Sequence, residues 1–411
     1  MVVSTSASAT EVRDLRNGLP LWLHEASSPV PTQILSSSMK ADVVVVGAGI
    51  TGALVAEAGS GIGLSTVILD RRPPGHGSTA ASTALLQFEI DTPLVRLAEE
   101  IGFERASRIW RRSFRAVGDI AGLVSRLQIQ CDFRPRRALY LAGRTLGAAD
   151  LAEEGRTRRA AGLPSAFLDR SQLRDHSGID REAALLSHGA ADVDPLRLTN
   201  GLLRCAIARG SRLFSPAELS EVVPSSRHVA MVTTNGVELE AKALIFATGY
   251  ELADGVPAMA HRRSSTWAFA TPPQPQAIRG DGDVIWEASD PYLYIRTTAD
   301  GRVLVGGEDE DFDDEATRDA LLPAKTVALQ AKTKALMPWL DVSADFAWAG
   351  TFGESSMGLP SIGPVPGMSN CYAVLGYGGN GITFGAVASQ LVKAHLSGKS
   401  DPDAELFDFG R

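Results

Sequence analysis

The chain has 411 residues, 44% hydrophobic and 21% charged, a globular composition long enough for two domains sharing an interface. A net charge of −8 argues against a nucleic-acid partner, which needs a basic surface, and gives no support for docking on anionic lipid. Cys131, Cys205 and Cys371 form no CxxC and the seven histidines no HExxH, so no metal site is expected, and a reducing, cytoplasmic setting fits.

Residues 1–38 are rich in Ser, Thr and Pro and lack a cationic start followed by a long apolar run. They read as a loose arm packing on the body rather than a signal peptide, with Met39 as an alternative start. The apolar run Val43–Val46 is far too short for a membrane span.

Ala41 to Asp70 reads as one βαβ unit. Val43–Val46 is an unbroken β-branched run, as in a strand buried on both faces of a parallel sheet. Gly47-Ala48-Gly49-Ile50-Thr51-Gly52 follows, then a helix of small residues through Ala58, and a second strand, Ser65–Leu69, ending at Asp70. Each glycine has a task in binding a dinucleotide. Gly47 permits the tight turn, Gly49 lets a pyrophosphate approach the backbone, and Gly52 lets helix and strand close. The helix N-terminus offers amides and a positive dipole end to the phosphates. Asp70 can accept from a pair of ribose hydroxyls, which favours FAD or NAD over NADP. Arg71 and Arg72 either meet a phosphate or are solvated charges after a strand.

Past Asp70 the loop is rich in Gly, Ser and Thr. An extended FAD passes a second helix N-terminus, and Ser78, Thr79 and Ser82 could offer it hydroxyls and amides; an ordinary polar loop is the alternative. Residues 93–187 carry amphipathic helical patterns (Leu94–Ile101, then Ala106–Leu127) and short strands around Asp132–Phe133 and Leu139–Leu141. Val222 lies in a short strand before a hairpin whose strands, Val229–Thr233 and Val237–Leu239, bracket the turn Asn235-Gly236. Leu244–Phe246 then forms a strand into the turn Ala247-Thr248-Gly249.

Between 255 and 347, strands are expected around Ser265–Thr271, Tyr292–Thr298 and Arg302–Gly306. Alternation puts Tyr292, Tyr294 and Arg296 on one strand face. Two phenols and a guanidinium suit a small polar or anionic ligand; the alternative is an outward face with Arg296 paired to an acid such as Asp290 or Glu308. Near the end, the strand Tyr372–Leu375, the Gly-rich turn Gly376–Gly381 and a terminal helix would aim backbone amides at a fixed anionic target.

From about residue 40 to the C-terminus, these motifs and their order resemble the D-amino acid oxidase superfamily, in the branch of glycine oxidase and sarcosine oxidase. The resemblance implies an α/β FAD-binding Rossmann-like domain, a parallel sheet with a β-meander, plus an α+β substrate domain with an antiparallel sheet. The FAD domain would comprise 39–92, 188–254 and 348–411, and the substrate domain 93–187 and 255–347. Carried over, Gly47, Gly49, Gly52, Asp70, Ser78, Thr79, Thr248, Gly249 and the amides of Gly378, Gly379, Asn380, Gly381 and Ile382 become FAD contacts, with Val222 meeting the adenine through its backbone. The family usually has Glu where this chain has Asp70.

Two departures bear on the substrate. Glycine oxidase-like enzymes grip the substrate carboxylate with an arginine, where this chain has Phe352, and carry a second arginine where it has Gly379. A free α-carboxylate is then gripped by Arg296, or the substrate lacks one and meets Phe352, Met357 and the tyrosines. No cysteine stands near Ala349–Gly350, where relatives attach flavin covalently, so non-covalent FAD is expected; Leu304 replaces the lysine that aids reaction with oxygen, leaving oxygen or another acceptor open. The resemblance implies hydride transfer from the α-carbon of a small amine or amino acid to flavin N5, giving an imine that hydrolyses. The alternatives are a 2-hydroxy-acid or alcohol dehydrogenase, which would need a base such as histidine at the ring, and an FAD-binding module without turnover.

Overall fold

The computed structural model describes residues 8–24, 28–257, 261–279 and 282–410. Two sheets organise it. The first runs Ser361–Pro364, Cys371–Leu375, Glu238–Phe246, Met39–Val46, Thr66–Leu69, Arg212–Phe214, parallel except at the Ser361–Pro364 edge. Val43–Val45 have essentially no exposure, in line with a strand covered on both faces. Helices Ile50–Gly61, Pro195–Ala208 and Gly381–Leu396 cover one face. The expected meander covers part of the other: Leu219–Pro224 and Val229–Thr233 pair antiparallel, and the latter continues through the Asn235-Gly236 turn onto Glu238–Phe246. Val237–Leu239 and Leu244–Phe246, two strands in the sequence reading, are one.

The second sheet is mostly antiparallel and runs Arg16–Gly18, Phe346–Ser355, His261–Ala270, Val303–Glu310, Leu293–Thr297, Val284–Glu287, Arg134–Leu141, Ala183–Asp192, Leu85–Leu86. Helix Glu315–Leu336 backs it through Leu329 and Leu336, against Trp267, Phe269 and Val305. Two boundaries differ from expectation. Phe346–Ser355, which the sequence assigned mostly to the FAD half, hydrogen-bonds along its whole length to His261–Ala270, so the crossing back falls after Ser355. Ala183–Asp192 likewise stays in this sheet beyond residue 188.

The arm is not loose. Its described part bridges the two halves: Ala9 donates to the Leu219 carbonyl at 2.8 Å, Glu11 to that of Leu252 at 2.8 Å, and Arg16–Gly18 adds an edge strand opposite Trp348–Gly350. Leu15, Leu21, Trp22, Val30 and Leu35 are all buried, each contributing about 2 kcal/mol of hydrophobic stabilisation. A Ser/Thr/Pro-rich composition hid this because the apolar residues are spaced for an irregular strap, with neither helical nor strand period.

Candidate active site

One long cavity runs between the sheets, from the Gly47–Thr51 turn and Asp70 to the face of the second sheet. At its dinucleotide end, Gly47 adopts φ +108° and its amide donates to the Leu69 carbonyl at 2.8 Å. A Cβ on Gly52 would lie 1.8 Å from the Gly47 carbonyl oxygen, so this glycine permits the helix–strand closure expected of it; Gly52 itself does not line the cavity. Asp70 lines it and accepts from the Ala48 amide at 2.7 Å and the Arg72 amide at 2.8 Å. Burial raises its pKa, against those two bonds. Thr79 accepts from the Ile50 amide at 3.0 Å, tying the second Ser/Thr-rich loop to the first glycine turn.

Gly49, Ser78, Thr79, Ser82, Thr248, Gly249, Gly378, Gly379, Asn380, Gly381 and Ile382 all line the same cavity, although they come from four separate stretches of chain. The turn at its far end is held from within. The Gly379 amide donates to Asp91 at 3.0 Å and the Asn380 side chain to the Glu89 carbonyl at 2.6 Å. The Gly381 and Ile382 amides open the helix Gly381–Leu396. Arg71 lines the cavity but is occupied by the arm and the meander, donating to the Glu11 carbonyl at 2.9 Å and pairing with Glu218 at 3.3 Å. Val222 does not line it. Its strand meets the cavity three residues earlier, at Leu219, with Ala217 and Glu218.

The opposite end is walled by Tyr292 and Tyr294, with ring centroids 5.6 Å apart, by Trp286 and Thr266, and by Phe352 on the strand beside Thr266. Arg296 is elsewhere. It is buried against Asp192 at 3.5 Å, donates to the Val193 carbonyl at 3.1 Å, lies over the Trp22 ring and lines a separate small cavity. Alternation placed its face correctly, but two residues advance a strand by about 6.6 Å, which carries it past the end of the site. Burial lowers its pKa to about 10, countered by Asp192.

Sequence reasoning missed Asp309. Along Val303–Glu310, Val303 and Val305 face the backing helix and Leu304 faces Trp22 and Ala80. Strict alternation would send Glu308 to the cavity and Asp309 to the helix. The register breaks instead: Ser265 pairs with Glu310 and Trp267 with Gly307, leaving one extra residue, with Glu308 at φ 59°. This bulge exchanges the two acids, a common use of bulges beside functional sites. Glu308 pairs with Lys325 at 3.5 Å and with Lys332 on the helix, and Asp309 lines the cavity. Both Asp309 oxygens are buried, with the Thr266 hydroxyl and the Tyr292 phenol as their polar neighbours. Burial pushes its pKa up to about 7, and that of Asp91 to about 6.

The cavity fits a flavin dinucleotide. Ser78 Oγ near Gly49 and Gln87 Nε2 and Trp286 Nε1 further along are buried with no partner on the cavity wall, where a bound ligand can satisfy them. Fold and cavity together define a flavoprotein oxidoreductase of the two-sheet type. The sequence matches the FAD-dependent oxidoreductase (DAO) family over residues 42–394, and the chain belongs to that family, with FAD as its cofactor. It is 26% identical over 396 residues to gamma-glutamylputrescine oxidoreductase of Escherichia coli K12, covering 93% of this chain and 89% of the relative. Glycine oxidase of Pseudomonas putida is 35% identical over 108 residues, 26% of this chain and 28% of that one. Among solved structures, glycine oxidase from Geobacillus kaustophilus superimposes with a TM-score of 0.74 at 20% identity, covering 90% of this chain and 99% of the other. L-proline dehydrogenase from P. horikoshii gives 0.73 at 17%, with 91% and 97% covered. Among the described residues no helix is long and apolar enough to cross a membrane, and no group of His, Cys, Asp and Glu is arranged to hold a metal ion.

Proposed function

We propose that this chain oxidises a small amine at the carbon bearing nitrogen, yielding an imine that hydrolyses to a carbonyl compound. The observation that carries this reading is the continuous cavity joining the Gly47–Thr51 turn and Asp70 to a wall of Tyr292, Tyr294, Trp286 and Phe352. Bound FAD supplies a two-electron acceptor for a hydride.

The chain's own residues supply position and electrostatics. In this reading Asp70 takes the ribose hydroxyls, Ser78, Thr79 and the amides after Gly49 the phosphates, and Thr248 and Gly249 the stretch between. In the same reading the Gly381 and Ile382 amides and their helix dipole would hold the part of the cofactor that gathers negative charge on reduction. The aromatic wall holds the substrate carbon and excludes water. Amine chemistry agrees with the name of the E. coli relative, which acts on a glutamylated putrescine. Among the described residues no histidine lines the cavity, which disfavours a hydroxy acid as substrate.

The test is anaerobic mixing of the yellow protein with amines, amino acids and 2-hydroxy acids. Loss of flavin colour with amines or amino acids is expected. Bleaching by hydroxy acids alone, or by no compound of the three classes, would overturn the assignment.

A further inference from the structure

We infer that the substrate of this site is a cationic amine without an α-carboxylate, and that Asp309 receives its ammonium group. This rests on the amine-oxidising reading above and narrows it.

Charge decides between the two substrate types. Among the described residues lining the cavity, the cationic side chains are Arg71 and Arg72. Both are committed at the dinucleotide end: Arg71 to the arm and Glu218, Arg72 to Glu251 at 2.6 Å. The walls beyond the Gly378–Ile382 turn carry Asp91 and Asp309 instead, while Glu89 beside them is turned to the buried Arg158 at 3.6 Å. Arg296, the residue able to grip a carboxylate in the sequence reading, lies in a different cavity. A substrate carboxylate would therefore enter a low-dielectric pocket against Asp91 and Asp309, with no cation among the described lining residues there to receive it, which is costly.

An ammonium meets the opposite situation. The bulge at Glu308 directs the Asp309 carboxyl into the cavity, where its neighbours are the neutral Tyr292 phenol and Thr266 hydroxyl and no cationic side chain among the described lining residues. The carboxyl oxygens can accept charge-assisted bonds from a primary or secondary ammonium. Their burial favours the protonated acid, and Tyr292, Tyr294, Asp91 and Glu354 face the same carboxyl without supplying positive charge. Behind the strand, Lys325 and Lys332 are taken up by Glu308, and Lys325 also by Glu310 at 2.6 Å. A bound cation is thus the partner that completes Asp309. The carboxylate can also take one proton from the ammonium: one N–H bond breaks, one O–H bond forms, no electron moves, and the neutral amine is ready to lose hydride.

The experiment uses the FAD-loaded protein and two probes that cannot be oxidised. tert-Butylammonium has no α-hydrogen, and pivalate is its carboxylate counterpart. Binding is read from the flavin difference spectrum and from Trp fluorescence. tert-Butylammonium should bind and pivalate should not, and Asp309→Asn should weaken the ammonium about tenfold or more. Equal ammonium binding by wild type and Asp309→Asn, or tighter pivalate binding by wild type, would overturn the inference. Should the variant lose its flavin, wild type alone decides: butylamine must reduce the protein faster than norvaline, which is the same amine with an α-carboxylate. If neither compound bleaches the flavin while tert-butylammonium still depends on Asp309, the oxidation reading fails and the cation site stands.

Discussion

Asp70 and Asp309 are both half-buried acids lining the same cavity, and they are built in opposite ways. Asp70 is satisfied by two backbone amides fixed by a contiguous turn, so it is a structural fixture before any ligand arrives. Asp309 has only two neutral hydroxyls, of Tyr292 and Thr266, beside it and depends on a bulge for its direction. One end of the site is prepared by the backbone. The other is left electrostatically incomplete, and what completes it is the ligand.

The contrast can be broken hardest at the backbone end. Gly52→Ala drives a Cβ toward the Gly47 carbonyl, so a loss of about 3 kcal/mol or more and of bound FAD is expected, measured by thermal unfolding and flavin absorbance. Asp309→Asn comes next: it should keep FAD and lower kcat/KM for amines by about 10²-fold at neutral pH. An amine activity unchanged by that substitution would place the proton acceptor elsewhere.

The two acids also separate by stability. In the absence of amine, folded Asp309 titrates near 7 whereas an unfolded Asp titrates near about 4. The folded state then binds more protons between those values, so stability falls as pH rises from about 4 to about 7, and the penalty is complete above that. Asp309→Asn removes it, so the variant should gain on wild type with rising pH, by on the order of 1–3 kcal/mol in chemical denaturation at about pH 8 against pH 4. A constant difference across that range would mean that Asp309 is not desolvated.

The smallest effect on catalysis belongs to Arg296. Arg296→Met should cost about 1–3 kcal/mol of stability while leaving KM within about twofold. Asp192 keeps Arg134 at 2.8 Å and Arg136 at 2.6 Å, and the substrate end is untouched. A large rise in KM would return Arg296 to the binding site.

These differences also explain what could be read in advance. The βαβ unit was legible because strand, glycines, helix and Asp70 are neighbours in sequence and each obeys a local rule. The Asn235-Gly236 hairpin and the helix Leu94–Ile101 followed for the same reason. Tyr292 and Tyr294 were found by alternation, which holds within one regular strand. Asp309 was hidden because its direction is set by pairing with His261–Ala270, some forty residues away in sequence. Arg296 misled because period fixes a face and not a depth along it. Val222 was displaced by three residues because the meander's entry onto the cavity is set by the sheet it leans on.

The account stands or falls most directly on anaerobic titration of the FAD-loaded protein with butylamine, followed by flavin absorbance and assay of the aldehyde released. Bleaching with stoichiometric aldehyde is the predicted result. A protein that stays yellow with butylamine but is bleached by norvaline would contradict it.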